Sequence, residues 1–224
     1  DHAALCERGT PMKGLIRNNF YSMESNMGIS FLIAAFLAAT PLLLPDSNFI
    51  PRIISIQIFI FIVNTGTSLH ADTVAKWYKY ELSLPVERKE AILAKYISIA
   101  ILILLGVLMG GITLIVSSAA GISLESSAVL SGYTYGLTLS AISVGIMYPL
   151  MLKFGTDKNE LIMILSAFAA VGIMLLAAFV LSPWTEGMNM HHPFVALIYT
   201  LTALVIFIAS YFISVEIYQR KEFA

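Results

Sequence analysis

The residues of this chain that could do chemistry are hydroxyls, amides and a few histidines set among long apolar runs. Hydrolysis inside such runs would require a nucleophile beside a base, a pair of aspartates, or a metal cluster near a buried water. Serines occur in several runs, but there is no Gly-x-Ser-x-Gly motif and no histidine deep enough in a run to activate a serine. We therefore predict no catalytic residue in this chain.

The histidines and the cysteine are poorly placed for a metal site. His191 and His192 are adjacent, so on a helix their side chains would point about 100° apart, which is a poor chelate. His70 and Asp72 lie at the end of an apolar run, where a polar pair at a helix end is the simpler interpretation. The single cysteine, Cys6, precedes all the runs. We predict that this chain binds neither a metal nor a cofactor.

The source of energy for any transport must lie outside the apolar runs, because none of them has Asp, Glu, His or Lys near its middle. Ion-coupled transporters and proton pumps place such a residue at mid-membrane depth, where it binds and releases the ion. The chain also lacks the Gly-x-x-x-x-Gly-Lys-Ser/Thr motif of a phosphate-binding loop. We predict that any ATP is hydrolysed on a separate polypeptide.

Six charge-free apolar runs are the elements that must position these residues. Of the 224 residues, 58% are hydrophobic and 12% are charged, and the mean hydropathy is +0.83, which is typical of an integral membrane protein. The runs contain 17 to 25 residues, the length that a helix needs to cross a hydrocarbon core of roughly 30 Å. They cover residues 28–44, 53–70, 96–119, 128–152, 161–181 and 194–215. We predict a single all-α domain of six transmembrane helices over residues 12–224.

The N-terminal residues divide into two parts. Residues 1–11 are polar, lack the apolar core of a signal peptide and precede Met12, so we interpret them as a vector-derived remnant. Residues 12–26 place apolar side chains on one helical face and charged side chains on the other. This pattern predicts an amphipathic helix lying in the cytoplasmic interface, for which anchoring alone would be a sufficient role.

Basic residues are distributed unevenly over the two sides of the membrane. With six spans, Arg52 alone falls on one side, whereas eleven basic residues after residue 12 fall on the other. These are Lys13, Arg17, Lys76, Lys79, Arg88, Lys89, Lys95, Lys153, Lys158, Arg220 and Lys221. Because short basic loops stay in the cytoplasm, we predict a bacterial plasma-membrane protein with both termini in the cytoplasm.

The longest loop joins the second and third spans over residues 71–95. Residues 71–82 are predicted to continue the second span as an amphipathic helix, and Pro85 breaks that helix. The run Glu87-Arg88-Lys89-Glu90 then begins the next helix. The aromatic residues around Trp77 fit two interpretations, an interfacial aromatic belt or a docking surface for a cytoplasmic partner.

A resemblance to a known family rests on the end of this loop. The segment LPVERKEAILAKY (residues 84–96) resembles a segment in the permease subunits of type-two ABC exporters. The opening MKGLIRNNFY (residues 12–21) is similar to the amphipathic first helix of these permeases, and the six-span layout agrees. Among small members, the chain looks most like the permeases of bacterial exporters of amphipathic peptides, the phenol-soluble-modulin type. Bacteriocin-immunity permeases share the same short pattern.

The resemblance implies a cytoplasmic coupling helix that seats in a groove of an ATP-binding subunit, with ATP and Mg bound by that partner. In this sequence the role falls on residues 71–90, with Trp77, Tyr78, Glu81, Leu82, Pro85, Glu87 and Arg88 as the predicted contacts. Six spans are half of what such exporters use, so the resemblance also implies a second permease, identical or paralogous. Larger relatives carry an external domain between spans five and six, whereas only residues 182–193 are available here.

The small and polar residues of spans two and four have two interpretations. Small residues four apart, such as Gly132 and Gly136, let helices approach closely, as in many membrane bundles. The neighbouring hydroxyls and amides could instead line a pathway for an amphipathic peptide or lipid-like substrate, since a hydrophilic solute would need charged walls. The predicted lining residues are Asn64, Thr67, Tyr133, Tyr135 and Thr138. A non-transporting scaffold or immunity protein is the alternative, followed by an intramembrane enzyme.

Overall fold

The protein is a bundle of long helices. The computed structural model describes residues 10–77, 87–156, 158–184 and 193–220, and within these ranges it contains six α-helices, one short 3-10 turn and no strand. The helices are α1 (Thr10–Leu43), α2 (Ile50–Val74), α3 (Arg88–Ala119), α4 (Ser126–Phe154), α5 (Asn159–Leu181) and α6 (Pro193–Arg220). Each is long and apolar enough to cross a membrane. The prediction of an all-α chain with six spans is confirmed.

The helix boundaries follow from local sequence signals. A proline occupies one of the first two positions of α2 and the first position of α6, where its missing N–H breaks no intrahelical bond. Glu87 precedes α3 and forms a reciprocal capping box with Glu90. Helix α4 ends at Gly155, whose φ of 86° is in the left-handed region that favours glycine.

Helix α1 differs from the predicted arrangement of an interfacial helix followed by a separate span. It runs without interruption for 34 residues, because the region between the amphipathic segment and the first apolar run contains no proline and no left-handed turn. Leu15 and Met23, within the amphipathic segment, are already buried against other helices. The amphipathic segment is therefore continuous with the apolar span Asn26–Leu43 and packs on the bundle, while its position in the interface stays a prediction.

Helix α2 also ends earlier than the predicted helix over residues 71–82. Its last residue is Val74, and Lys76 has a φ of 51°, a left-handed conformation that stops the helical hydrogen bonding. The chain therefore turns at Lys76, immediately before Trp77. Residues 78–86 of the predicted coupling segment lie outside the described residues.

Helices α2 and α4 form the centre of the bundle, where they run parallel to each other. In their apolar spans 56% and 50% of the residues are buried, compared with 22% or 28% in the other four helices. Helices α1 and α3 pack on α2, and α5 and α6 pack on α4. The outer helices direct leucine, isoleucine and phenylalanine side chains outward, as lipid-facing helices do.

Three glycines set the closest approaches of α2 to its neighbours. A Cβ atom added to Gly106 of α3 would lie 2.6 Å from the Cα atom of Ile58. A Cβ atom on Gly132 of α4 would lie 2.7 Å from the carbonyl oxygen of Pro51, and one on Gly136 would lie 2.9 Å from the Cα atom of Ser55. Real Cβ atoms do not approach so closely, so these positions require glycine for the observed helix packing.

Candidate functional site

A polar seam joins α1 to α2 and contains two of the predicted lining residues. The amide Nδ2 of Asn26 donates to Thr67 Oγ1 at 2.9 Å, and Nδ2 of Asn64 donates to Ser30 Oγ at 2.9 Å. The hydroxyls of Ser22 and Ser68, one turn away, are 2.9 Å apart. Each bond satisfies a polar group that would otherwise face lipid or apolar side chains. Asn64 and Thr67 therefore hold α1 against α2.

Gln57 continues this seam and was missed by the sequence reasoning. Its side chain is fully buried, its Nε2 donates to the carbonyl oxygen of Ala34 in α1 at 2.9 Å, and its Oε1 accepts from the hydroxyl of Thr113 in α3 at 2.8 Å. The detectable signal was a single glutamine inside an apolar run. Because one side chain contacts both neighbouring helices, Gln57 fixes α1, α2 and α3 relative to one another.

The three predicted lining residues of α4 lie in three different environments. Tyr133 packs over Gly110 of α3, where its hydroxyl oxygen would lie 3.2 Å from an added Cβ atom. The ring of Tyr135 stacks with that of Tyr199 in α6, with centroids 6.2 Å apart. Thr138 is fully buried, and its hydroxyl has no hydrogen-bond partner among the described residues. Their use as a common substrate lining stays a prediction.

Tyr135 also lines an open groove between α2 and α4, with a volume of about 600 Å³. The groove lies at the end of the bundle opposite to the first residue of α1 and the last residue of α6, which we call the far end. The other end, with the connection from α2 to α3, is called the basic end. Arg52 and Ser131 line the groove near its mouth, and Leu139 lines it in the bundle interior.

A partly buried ion pair lies at the basic end, where the predicted coupling segment leaves and re-enters the bundle. Lys95 of α3 forms a salt bridge with Asp72 of α2, and the two side chains are 12% and 14% exposed. Lys95 Nζ also donates to Asn19 Oδ1 at 3.0 Å, and Asn19 Nδ2 donates to Ser98 Oγ at 3.0 Å. Three helices are thus joined around one ammonium group. The sequence analysis placed His70 beside Asp72, but the structure pairs Asp72 with Lys95.

The predicted coupling residues are only partly within the described region. Tyr78, Glu81, Leu82 and Pro85 lie outside it, whereas Trp77 is partly buried just after the turn at Lys76. Glu87 is exposed and caps α3. The guanidinium of Arg88 donates to the carbonyl oxygen of Gln219 at 2.8 Å, which ties the start of α3 to the end of α6. Arg88 therefore has a structural contact within its own chain.

Polar groups of the described residues form hydrogen bonds and a salt bridge between helices. Across the described ranges, no three His, Cys, Asp or Glu side chains lie close enough to hold a metal ion. His70 is exposed at the end of α2, while His191 and His192 lie outside those ranges. Apart from Glu24, which is exposed in the N-terminal half of α1, the charged residues of the described helices lie within about two turns of a helix end, and the interior polar groups are hydroxyls and amides.

Comparison with known proteins identifies the family. Neither a search of curated proteins nor a search of solved structures gave a match. A family model described as ABC-2 family transporter protein matches residues 14–219, which is nearly the whole chain and includes all six spans. Permeases of this family form the membrane component of a transporter and are not themselves the ATPase. The chain therefore belongs to the ABC-2 family and is a multi-pass permease subunit of an ABC transporter.

Proposed function

We propose that this permease works with a second permease and a cytoplasmic ATP-binding subunit to export an amphipathic peptide or lipid-like molecule across the bacterial plasma membrane. The observation that carries the substrate class is the distribution of polar groups. Apart from Glu24, which is exposed in the N-terminal half of α1, charged side chains stay near the helix ends, and the interior polar groups are hydroxyls and amides among Leu, Ile, Phe and Met. Such an interior is suited to a molecule with polar and apolar faces. A hydrophilic solute would lose its hydrogen bonds to water there, and the interior has too few polar groups to replace them.

The ion pair at the basic end supports a coupling role for residues 71–90. Asp72 and Lys95 join the two helices from which this segment extends, and Asn19 adds α1 to the same group. A force applied to the segment by the ATP-binding subunit would therefore move α1, α2 and α3 together. Arg88 extends the connection to α6 through the carbonyl oxygens at its end. ATP and Mg would be bound by the partner, and the second permease would complete the pathway.

The proposal is tested by reconstituting the permease with its ATP-binding subunit, identified by co-purification, and measuring ATP turnover in lipid vesicles. A synthetic amphipathic helix of leucine and lysine is expected to raise turnover severalfold, because it presents the two faces that the interior accommodates. A scrambled peptide of identical composition, which has no apolar face, is the matched control and should have little effect. Sucrose at the same concentration should have none.

Two results would contradict the proposal. Equal stimulation by the scrambled peptide or by sucrose would exclude an amphipathic substrate. A permease that co-purifies with no ATPase and changes no ATP turnover would favour the scaffold or immunity alternative, which requires neither a pathway nor an energy source.

A further inference from the structure

The groove between α2 and α4 has the length of one membrane leaflet. On α4 its lining residues extend from Ala128 at the mouth to Leu139, twelve residues whose helical rise is about 16 Å. The hydrocarbon core of a bilayer is roughly 30 Å thick, so the groove reaches from one surface to about the midplane. Its side is open to the lipid, since Ile56 in its wall is 49% exposed.

The lining changes from polar to apolar along this length. Arg52 of α2 and Asn48, which precedes α2, lie at the mouth, Tyr135 of α4 lies at an intermediate depth, and Ile56 and Leu139 lie toward the interior. A positive charge at the surface followed by an apolar trough matches the order of groups in a phospholipid, in which a phosphate precedes the acyl chain.

Most polar groups at the mouth are already bonded within the protein. The Ser55 hydroxyl donates to the carbonyl oxygens of Pro51 and Gly132, at 3.0 and 2.7 Å. The Ser131 hydroxyl donates to the carbonyl oxygen of Ala128 at 2.7 Å. These serines therefore have no hydroxyl hydrogen left to offer a ligand.

Arg52 is the exception at the mouth. Its guanidinium lies over the ring of Phe49, 5.7 Å from the centroid, and makes no hydrogen bond to the described residues. It is also the only Lys or Arg that the described ranges place at the far end. Two carboxylates lie at the same end: Asp46, whose Oδ1 accepts from the amide of Asn48, and Glu125, which precedes α4. Asp46 thus accepts hydrogen bonds from Asn48, whereas the donors of Arg52 remain available.

We propose that the α2–α4 groove is a binding site for an anionic phospholipid, with the phosphate on Arg52 and one acyl chain lying along Ile56 and Leu139. The N-termini of α2 and α4 both lie at this end of the bundle. The partial positive charges of the two helix N-termini therefore favour the same anion. The site is occupied by membrane lipid in the permease alone and does not depend on transport. Gly132 and Gly136 bring α2 and α4 together and thereby fix the groove between them.

Photocrosslinking in nanodiscs tests this site in the full chain without an ATPase. The probes are phosphatidylglycerol and phosphatidylcholine that carry the same diazirine halfway along one acyl chain, and peptide mass spectrometry locates the crosslinks. Phosphatidylglycerol is expected to label the peptides containing Ile56 and Leu139 about fivefold more than phosphatidylcholine, the preference that one basic residue near an anionic surface contributes. Arg52→Gln should abolish this headgroup preference while the labelling by phosphatidylcholine persists.

Lys153→Gln is the matched control, because Lys153 is an exposed basic residue on α4 at the opposite end of the bundle from Arg52. It should leave the preference in the groove unchanged. Leu139→Trp should fill the interior part of the groove and reduce labelling by both lipids. The proposal is wrong if the two lipids label the groove equally, or if Arg52→Gln has no effect on the preference. Absence of labelling by both lipids at Ile56, together with a disulfide between two chains of an Ile56→Cys, Cys6→Ser variant, would assign the groove to a second copy and also exclude the lipid.

Discussion

At the scale of single residues, two buried threonines have opposite hydrogen-bonding states. Thr113 donates to Gln57 Oε1 at 2.8 Å and so helps to bond α3 to α2, whereas the hydroxyl of Thr138 has no partner among the described residues. Both side chains are fully buried. Burial of an unpaired hydroxyl opposes folding, while a satisfied one contributes to helix association.

These two states predict opposite effects of the same substitution. Thr113→Val should lower the free energy of unfolding by about 1–2 kcal/mol, because it leaves Gln57 Oε1 unpaired. Thr138→Val should leave stability unchanged or raise it by about 1 kcal/mol, because no bond is lost. Thermal unfolding of the detergent-solubilised variants, followed by circular dichroism, measures both. Equal destabilisation by the two substitutions would show that Thr138 has a hydrogen-bonding role in the folded chain.

A substitution of Trp77 tests whether this residue contacts the ATP-binding subunit. If it seats in the ATP-binding subunit, Trp77→Ala should weaken assembly with that subunit about thirtyfold, the loss expected for an aromatic anchor worth about 2 kcal/mol. Phe154→Ala is the control, since Phe154 is an exposed aromatic residue at the same end of the bundle. Assembly is measured by titrating labelled ATPase into permease nanodiscs. Equal affinities for the two variants would remove Trp77 from the interface.

At the scale of helices, the close packing of α3 on α2 depends on Gly106, which has no side chain. Gly106→Ala should destabilise the protein by about 1–3 kcal/mol, because the new Cβ atom would overlap the backbone at Ile58. Gly172→Ala on α5 is the matched control: no atom lies within 4 Å of its Cβ position, so it should be neutral or stabilising by up to about 1 kcal/mol. The same thermal unfolding assay compares them, and a stable Gly106→Ala variant would contradict the packing described here.

The six spans could be predicted from the sequence because lipid leaves a helix no alternative partner for its backbone, so length and apolarity decide the element. The contacts between helices could not be predicted from the sequence in the same way. Gln57 and Lys95 have partners in helices distant in sequence, and nothing local indicates those partners. The amides and hydroxyls of spans two and four were visible, but their spacing alone does not distinguish bonding to α1 from exposure to a pathway. Asn64 bonds to α1, whereas Tyr135 lines the groove.

At the scale of the whole molecule, the basic residues predict orientation. The described ranges place Arg52 at the far end and the other lysines and arginines at the basic end, so the basic end should face the cytoplasm. In a Cys6→Ser background, Ser47→Cys should react with a membrane-impermeant maleimide on intact cells. Lys158→Cys should react only after permeabilisation. Both positions are exposed, so burial does not affect the comparison, and the reverse labelling pattern would overturn the orientation.

The central position of α2 and α4 has a consequence for biosynthesis. These two helices have the lowest mean hydropathy of the six, so they partition from the translocon into lipid least readily on their own. When α2 is synthesised, α1 is already present to accept its amide and hydroxyl groups. Helix α4 packs extensively on α6, which is synthesised after both α4 and α5. A nascent chain that stalls before α6 would therefore leave α4 without its main neighbour, and membrane quality-control proteases would recognise that intermediate.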